Sequence, residues 1–177
     1  MQTGKNIKFG ITACVRKICL FSVLLWLPCL AVAAELSGLV VGVSDGDTIQ
    51  VLDDSQHIHT IRLMGIDAPE KAQAHGQRSK QSLSALIHGQ KVLVEWSKRD
   101  KYGRTVGKVL AQDGADVCLE QITSGMAWHY TKYASEQSLE DRERYAEGEK
   151  IAREAKVGLW QNDTPMPPWV WRHSTPK

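Results

Sequence analysis

Three short segments of this sequence concentrate carboxylates and arginines where folding alone does not require them. They are Asp45-Gly46-Asp47-Thr48, the run from Arg62 to Glu70, and Asp100-Lys101-Tyr102-Gly103-Arg104. Asp47 begins an otherwise apolar stretch, and a carboxylate in that position needs a partner. Asp67 and Glu70 bracket a turn stiffened by Pro69. Two carboxylates at this spacing, joined by a third such as Asp47 from a neighbouring strand, could form a site for a hard cation.

The two arginines of these segments could bind an anion beside that cation. Period-two alternation places Arg62 on the strand face opposite Ile61 and Leu63, where an unpaired guanidinium would be costly. Arg104 follows a glycine at the head of a strand, so its side chain can project from the end of a barrel. A planar guanidinium donates two parallel hydrogen bonds and stays charged at every relevant pH, which suits phosphate.

Each segment also has a simpler interpretation. Asp45 and Gly46 form tight turns on their own merits. Arg62 could merely form an ion pair with one of the nearby acids. The segment from Asp100 to Arg104 is typical of a turn with a surface arginine.

The elements that must position these residues are mostly strands at first and helices later. The apolar pattern predicts five strands, three helices and hairpin turns at Asp45-Gly46 and Asp53-Asp54. The predicted strands cover 39–43, 48–52, 58–66, 92–96 and 105–111, and the predicted helices cover 77–87, 116–125 and 135–158. This order favours a mainly β fold with α-helices, namely a five-stranded OB-fold barrel with about three helices.

The first 33 residues do not resemble domain sequence. They contain a basic start, an apolar run from Ile18 to Val32 and an Ala-Val-Ala site, which is typical of a secretory signal peptide. Residues 1–33 hold four of the 22 basic residues and none of the 20 acidic ones, so the remaining chain has a formal net charge of −2. That charge does not by itself indicate a nucleic-acid partner. Cys118 is the one cysteine left, and it is predicted to be buried.

The rest of the chain is predicted to form one domain followed by a short tail. Residues 36–160 contain no repeat, low-complexity block or linker, and residues 161–177 form a tail containing proline and tryptophan. The tail is predicted to be extended, with its tryptophans packed on the domain, although a motif for docking a partner is the alternative. We expect an exported protein, periplasmic or secreted, that is a monomer with no stable membrane association after signal cleavage.

The three segments together resemble the staphylococcal nuclease (thermonuclease) family. Asp-Gly-Asp-Thr at 45–48, Arg-Leu-x-Gly-Ile-Asp-x-Pro-Glu at 62–70 and Asp-Lys-Tyr-Gly-Arg at 100–104 occur in the family's order and spacing. Gly125-Met126-Ala127 and Gly158-Leu159-Trp160 extend the similarity, which covers about 38–160. The resemblance implies a Ca²⁺-dependent endonuclease. Its substrates would be DNA and RNA, cut with little base specificity to leave 3′-phosphate and 5′-hydroxyl ends.

The resemblance also implies roles for the acidic residues. Asp47 and Asp67 would be direct Ca²⁺ ligands, together with the backbone carbonyl of Ala68. Asp45 and Glu70 would hold metal-bound water. Glu70 would also act as the general base or position the attacking water.

The same resemblance assigns the substrate contacts. Arg62 and Arg104 would clamp the phosphate, and Lys101 and Tyr102 would contact a neighbouring phosphate. Two departures affect the grip on substrate. The loop between Glu70 and Gly76 is shorter than the lysine-rich loop of staphylococcal nuclease, and the tyrosine-rich segment is altered. That segment keeps two tyrosines as candidate stacking platforms for bases, Tyr130 and Tyr133.

Two other classes of protein remain open at this stage. One is a catalytically weak module of the same fold that binds nucleic acid or protein without cutting. The other is a secreted structural module stabilised by Ca²⁺, in which the arginines merely pair the acids. The presence of all five polar positions favours an enzyme; they are Asp47, Arg62, Asp67, Glu70 and Arg104.

Overall fold

A computed structural model describes Met1 and residues 34–174. It contains seven strands and four helices in these ranges: β1 (Ala34–Asp45), β2 (Thr48–Asp53), β3 (Ile58–Leu63), β4 (Ile66–Asp67), α1 (Gly76–Ile87), β5 (Lys91–Arg99), β6 (Thr105–Ala111), α2 (Val117–Thr123), β7 (Trp128–His129), α3 (Leu139–Glu154) and α4 (Pro168–Ser174). Two further ranges are 3₁₀-helical, namely Thr131–Glu136, which is interrupted by a kink at Tyr133, and Gly158–Gln161. Beyond Met1, the predicted signal peptide lies outside the described residues.

Five strands close into a barrel in the order β1-β2-β3-β6-β5. Neighbouring strands are antiparallel except β3 and β6, which are parallel. This confirms the predicted five-stranded OB-type barrel and both hairpins. The third predicted strand is divided, because Gly65 adopts a positive φ of 76° and turns the chain after Leu63. The separated residues form β4, which pairs with β7 in a small second sheet.

Alternate residues of the strands fill the interior of the barrel, and residues from two helices cover one end of it. Ile49, Ile61 and Val94 are completely buried inside the barrel, as period-two alternation requires. Leu83 of α1 and Ile122 of α2 cover its end within the same cluster. Cys118 belongs to this core, as predicted, and burial raises the pKa of its thiol to about 12.

A buried polar network attaches the last long helix to the barrel. Asp116 caps α2, as predicted, by accepting hydrogen bonds from the backbone N–H groups of Cys118 (3.0 Å) and Leu119 (3.2 Å). The Tyr145 hydroxyl of α3 donates to the same carboxylate at 3.0 Å. Helix α3 begins at Leu139 because Ser138 caps it, so the predicted start at 135 is too early.

The C-terminal segment was predicted to be an extended tail, but part of it is helical. Residues Pro168–Ser174 form α4, with proline in the first helical position, where its missing N–H carries no cost. The predicted packing of a tail tryptophan is present, because Trp169 lies against Trp128 with ring centroids 5.6 Å apart. None of the helices found between residues 34 and 174 is long and apolar enough to span a membrane.

Candidate active site

The turn that carries Asp45 and Asp47 is held between two helices. Gln121 of α2 is completely buried and donates a hydrogen bond to the Gly46 carbonyl at 2.9 Å. A Cβ at position 46 would overlap the Ser79 hydroxyl of α1. Glycine is therefore required here for close packing.

Asp47 is a buried carboxylate with a strongly perturbed pKa. It accepts hydrogen bonds from the backbone N–H of Ala68 at 2.7 Å and forms an ion pair with Arg62 at 3.0 Å. Burial raises the pKa of Asp47 to about 7; Arg62 opposes this shift, whereas Asp45 and Asp67 add to it. The shift thus comes mainly from the loss of water around the carboxyl group, and strongly perturbed pKa values are a common property of functional sites.

Arg62 joins Asp47 to Asp67. Its Nη2 lies 2.9 Å from Asp67 Oδ1, and its Nη1 lies 3.0 Å from Asp47 Oδ2. The side chain of Asp67 is only 1% exposed. The simpler interpretation of Arg62 as an ion-pair partner is therefore present in the structure, with two acids rather than one. Its role as a phosphate ligand remains a prediction.

Glu70 lies on a tight turn that closes on itself. Its backbone N–H donates to Gln73 Oε1 at 3.1 Å, and Gln73 N–H donates to the Glu70 carbonyl at 2.8 Å. A Cβ at Gly76 would overlap that carbonyl. The shortened loop is thus a compact turn, and the side chain of Glu70 remains 41% exposed.

The structure adds a residue that the sequence did not indicate. Arg172 of α4 contacts Asp67 Oδ2 at 2.7 Å, Asp67 Oδ1 at 3.2 Å and Glu70 Oε1 at 2.9 Å. The hydrogen bond to Asp67 is the main cause of a raised Arg172 pKa. We call the resulting series of alternating charges the charged row. It consists of Asp47, Arg62, Asp67, Arg172 and Glu70.

The donor chemistry of this site fits a hard divalent cation. Asp47, Asp67 and Glu70 contact two guanidinium groups, and Asp45 lies close enough to Asp47 to raise its pKa. When all four carboxylates are ionised, their excess negative charge over the two guanidiniums equals the charge of one such ion. Carboxylate and carbonyl oxygens are the ligands that Ca²⁺ prefers. The guanidiniums stand between the carboxylates. Accordingly, within residues 34–174 no three acidic, histidine or cysteine side chains form a metal-binding group by themselves.

Arg104 belongs to a separate turn at the head of β6. Its Nε lies 2.8 Å from Asp100 Oδ2, and its guanidinium lies 5.5 Å from the ring centre of Tyr102. The Nζ of Lys101 lies 5.0 Å from the ring centre of Tyr102 as well. The parallel register of β3 and β6 pairs Ile61 with Thr105, so Arg104, one residue before β6, lies beside the part of β3 that carries Arg62.

The two candidate stacking tyrosines differ in their surroundings. Trp169 of α4 stacks on Tyr130, with ring centroids 5.4 Å apart and planes 24° apart. Tyr133 is 46% exposed, and the amines of Lys98 and Lys132 lie 5.3 and 5.8 Å from its ring centre. Tyr133 therefore offers the more open aromatic surface beside positive charge.

The raised pKa of Asp47 predicts an unusual dependence of stability on pH. Between pH 4 and 7 the native state keeps a proton on Asp47 that the unfolded state has lost, so the free energy of unfolding falls as pH rises through this range. In chelator, the free energy of unfolding of Asp47→Asn relative to that of wild type should therefore rise by about 2 kcal/mol from pH 5 to pH 8. Urea unfolding at both pH values measures this difference. A difference that is the same at pH 5 and pH 8 would contradict this prediction. Asp113→Asn, which changes a carboxylate in an exposed turn, is the matched control.

Comparison with known proteins agrees with the class that this barrel and site define. A family model described as "Staphylococcal nuclease homologue" matches residues 60–162, more than half of the chain. The chain therefore belongs to the staphylococcal nuclease family, as its motifs predicted, and it is a nuclease of that family.

Bacterial relatives match over most of their length. An "Uncharacterized endonuclease" of Escherichia coli O157:H7 is 41% identical over 140 residues, which are 79% of this chain and 87% of the relative. A "Micrococcal nuclease" of Shigella flexneri is 41% identical over 150 residues, covering 80% and 83% of the two chains. An "Uncharacterized endonuclease" of Haemophilus influenzae is 36% identical over 159 residues, covering 89% and 85%.

Proposed function

We propose that this nuclease is a calcium-dependent endonuclease that cuts DNA and RNA with little base specificity and leaves 3′-phosphate and 5′-hydroxyl ends. The charged row is the observation that carries the proposal. It runs from the buried Asp47 to the half-exposed Glu70, so one end is shielded from water and the other is open to a substrate. Relatives named endonuclease and micrococcal nuclease support the same activity.

The acids of the site would hold the cation. Asp47, Asp67 and the carbonyl of Ala68 are its proposed direct ligands, and Asp45 and Glu70 would act through water. A bound Ca²⁺ supplies Lewis-acid stabilisation of the phosphate. The excess of carboxylates over guanidiniums in the charged row supports this set of ligands.

Glu70 is the proposed general base. In-line hydrolysis requires a group that takes the proton of the attacking water, and a carboxylate within hydrogen-bond reach of that water can do so. Oε1 of Glu70 accepts from Arg172, while Oε2 retains its lone pairs for water. Bond formation between the water oxygen and phosphorus would then break the bond from phosphorus to the 5′ oxygen, and that oxygen would take a proton from solvent water to become the 5′-hydroxyl.

The arginines would stabilise the charge that grows on the phosphoryl oxygens. Arg104 contacts Asp100 through Nε, which leaves both Nη groups able to donate to a phosphate. Arg62 would exchange a carboxylate partner for a phosphate oxygen. Lys101 and Tyr102 would hold the next phosphate. Tyr133, between its two lysines, would stack a base.

Export is part of the proposal. The basic and apolar segments of residues 1–33 support cleavage after about Ala33 and delivery to the periplasm or the medium. Mass spectrometry of the protein recovered outside the cytoplasm would identify its first residue. Recovery only in the cytoplasm with an intact start would contradict export.

Digestion of end-labelled DNA and RNA by residues 34–177 tests the activity. We expect cleavage of both polymers in Ca²⁺, cleavage abolished by chelator, and fragments that polynucleotide kinase can phosphorylate at the 5′ end without prior dephosphorylation. Activity that persists in chelator would exclude the proposed metal dependence. A folded protein that shifts labelled oligonucleotide in a gel without cutting it would instead be the binding module.

A further inference from the structure

We propose that Arg172 is a positioning residue of the active site, which orients the carboxylates of Asp67 and Glu70 for the reaction. The inference rests on the proposed function of those two acids. It gives the C-terminal helix a part in catalysis that neither the family motifs nor the matched range 60–162 includes.

The C-terminal segment is attached to the very turn that carries Glu70. Gln73 closes that turn through its Oε1 and donates from Nε2 to the carbonyl of Met166 at 2.6 Å. Trp169 then packs between Trp128 and Tyr130. Polar and aromatic contacts together hold the start of α4 against the site. They place the guanidinium of Arg172 beside the carboxylates of Asp67 and Glu70.

Arg172 restricts the motion of Glu70 in a way that the turn alone does not. The backbone of the turn is fixed, but a glutamate side chain that is 41% exposed has several rotamers available. The guanidinium is bidentate toward Asp67, which is buried and already held by Arg62. Because its planar fork is oriented by Asp67, its third hydrogen bond fixes the Glu70 carboxylate relative to a rigid neighbour.

The same contacts could instead belong to an inhibitory plug that excludes cation or substrate. Acceptor capacity argues against this alternative. Arg172 contacts only Oε1 of Glu70, and its hydrogen bonds do not involve Asp47. Asp67 Oδ1 accepts from both Arg62 and Arg172, whereas Oδ2 accepts from Arg172 alone. Because each carboxylate oxygen has two lone pairs, Asp67 Oδ2 and Glu70 Oε2 retain capacity for other ligands while Arg172 stays in place. Asp47 Oδ1, which accepts from the Thr48 hydroxyl, also retains one lone pair. The two roles predict opposite changes in rate.

Kinetics of Arg172→Ala and Arg172→Lys measure the effect. We expect kcat of Arg172→Ala to fall about 10- to 100-fold, the usual cost of losing a group that orients a ligand, with KM changed less than about threefold. Lysine keeps the charge but lacks the fork, so Arg172→Lys should recover only part of the loss. Arg144→Ala, on the exposed side of α3, is the matched control and should equal wild type.

A double-mutant cycle separates positioning from general support of the fold. If Arg172 acts through Glu70, adding Arg172→Ala to Glu70→Gln should lower the remaining rate less than about threefold. Calorimetric titration with Ca²⁺ gives a readout independent of activity. Arg172→Ala should bind Ca²⁺ at least as tightly as wild type, because a positive charge has been removed from beside the acids.

Several results would overturn the proposal. Equal or greater kcat in Arg172→Ala would exclude positioning, and greater kcat would indicate an inhibitory plug. An equal loss with and without Glu70, or full recovery in Arg172→Lys, would show that the residue only supports the fold or the charge. A wild-type protein inactive on every polymer would refute the proposed function itself, whereas an active wild type with an equally active Arg172→Ala refutes only this inference.

Discussion

Replacing Glu70 with glutamine is expected to lower kcat at least a hundredfold while leaving the fold intact. The amide is nearly isosteric and its oxygen can still accept the hydrogen bond of Arg172, but it cannot take a proton from water. Losing a single preorganised catalytic group typically costs 10²–10³-fold in rate. Single-turnover cleavage of a short labelled DNA measures the chemical step, and circular dichroism and thermal melting measure the fold.

Glu143→Gln provides the matched control, since this glutamate lies on the exposed face of α3. Its rate and melting temperature should equal those of wild type. A Glu70→Gln protein within threefold of wild type would show that Glu70 is not the general base. A lower melting temperature accompanied by a lower rate would assign Glu70 to the structure of its turn instead.

The barrel could be predicted from sequence because each of its signals is local. Alternation in β2 places Ile49 and Val51 inside, and the turn residues at 45–46 and 53–54 define the hairpins. Asp116 is followed by an apolar helix, so its capping role was also visible. These features depend on neighbours in sequence, and tertiary packing reinforces rather than overrides them.

The exact ends of elements depended on contacts that a local pattern does not contain. Gly65, which adopts a positive φ, turns the chain just after β3 ends at Leu63. The side chains of Gln137 and Tyr145, from far along the chain, fill the space beside it. Helix α4 forms in a segment whose prolines suggested an extended chain. Packing of Trp169 on Tyr130 supplies a reason for order there that no spacing within the tail reveals.

The acids and Arg62 could be predicted as site residues because family spacing and strand-end positions marked them, and the structure brings them together. Gln73 and Arg172 were missed for a physical reason, because they contact the site through partners about a hundred residues away. A glutamine in a loop and an arginine in a tail have many ordinary explanations. One signal in the sequence could have indicated Arg172. The predicted site contains more carboxylates than arginines, so a further cationic side chain could be expected near them.

Arg62→Ala is expected to combine a large loss of activity with a large loss of stability. Above pH 7, where Asp47 is ionised, removing this side chain leaves the carboxylate buried without its cation, and breaking a buried ion pair typically costs about 3–5 kcal/mol. The rate should fall about 10²–10³-fold if Arg62 also binds the phosphate. Urea unfolding in chelator measures the first effect, and single-turnover cleavage in Ca²⁺ measures the second.

Arg104→Ala separates the two effects, because the same phosphate role is proposed for Arg104 but its partner is the partly exposed Asp100. A pair of that kind contributes at most about 1 kcal/mol, so Arg104→Ala should lose activity with little loss of stability. Ca²⁺ should restore more stability to Arg62→Ala than to Arg104→Ala, because only the former leaves acids that a cation can compensate. Equal unfolding free energies for the two variants in chelator would contradict the coupling of Arg62 to Asp47. Equal rates for wild type and Arg62→Ala would leave Arg62 with a purely structural role.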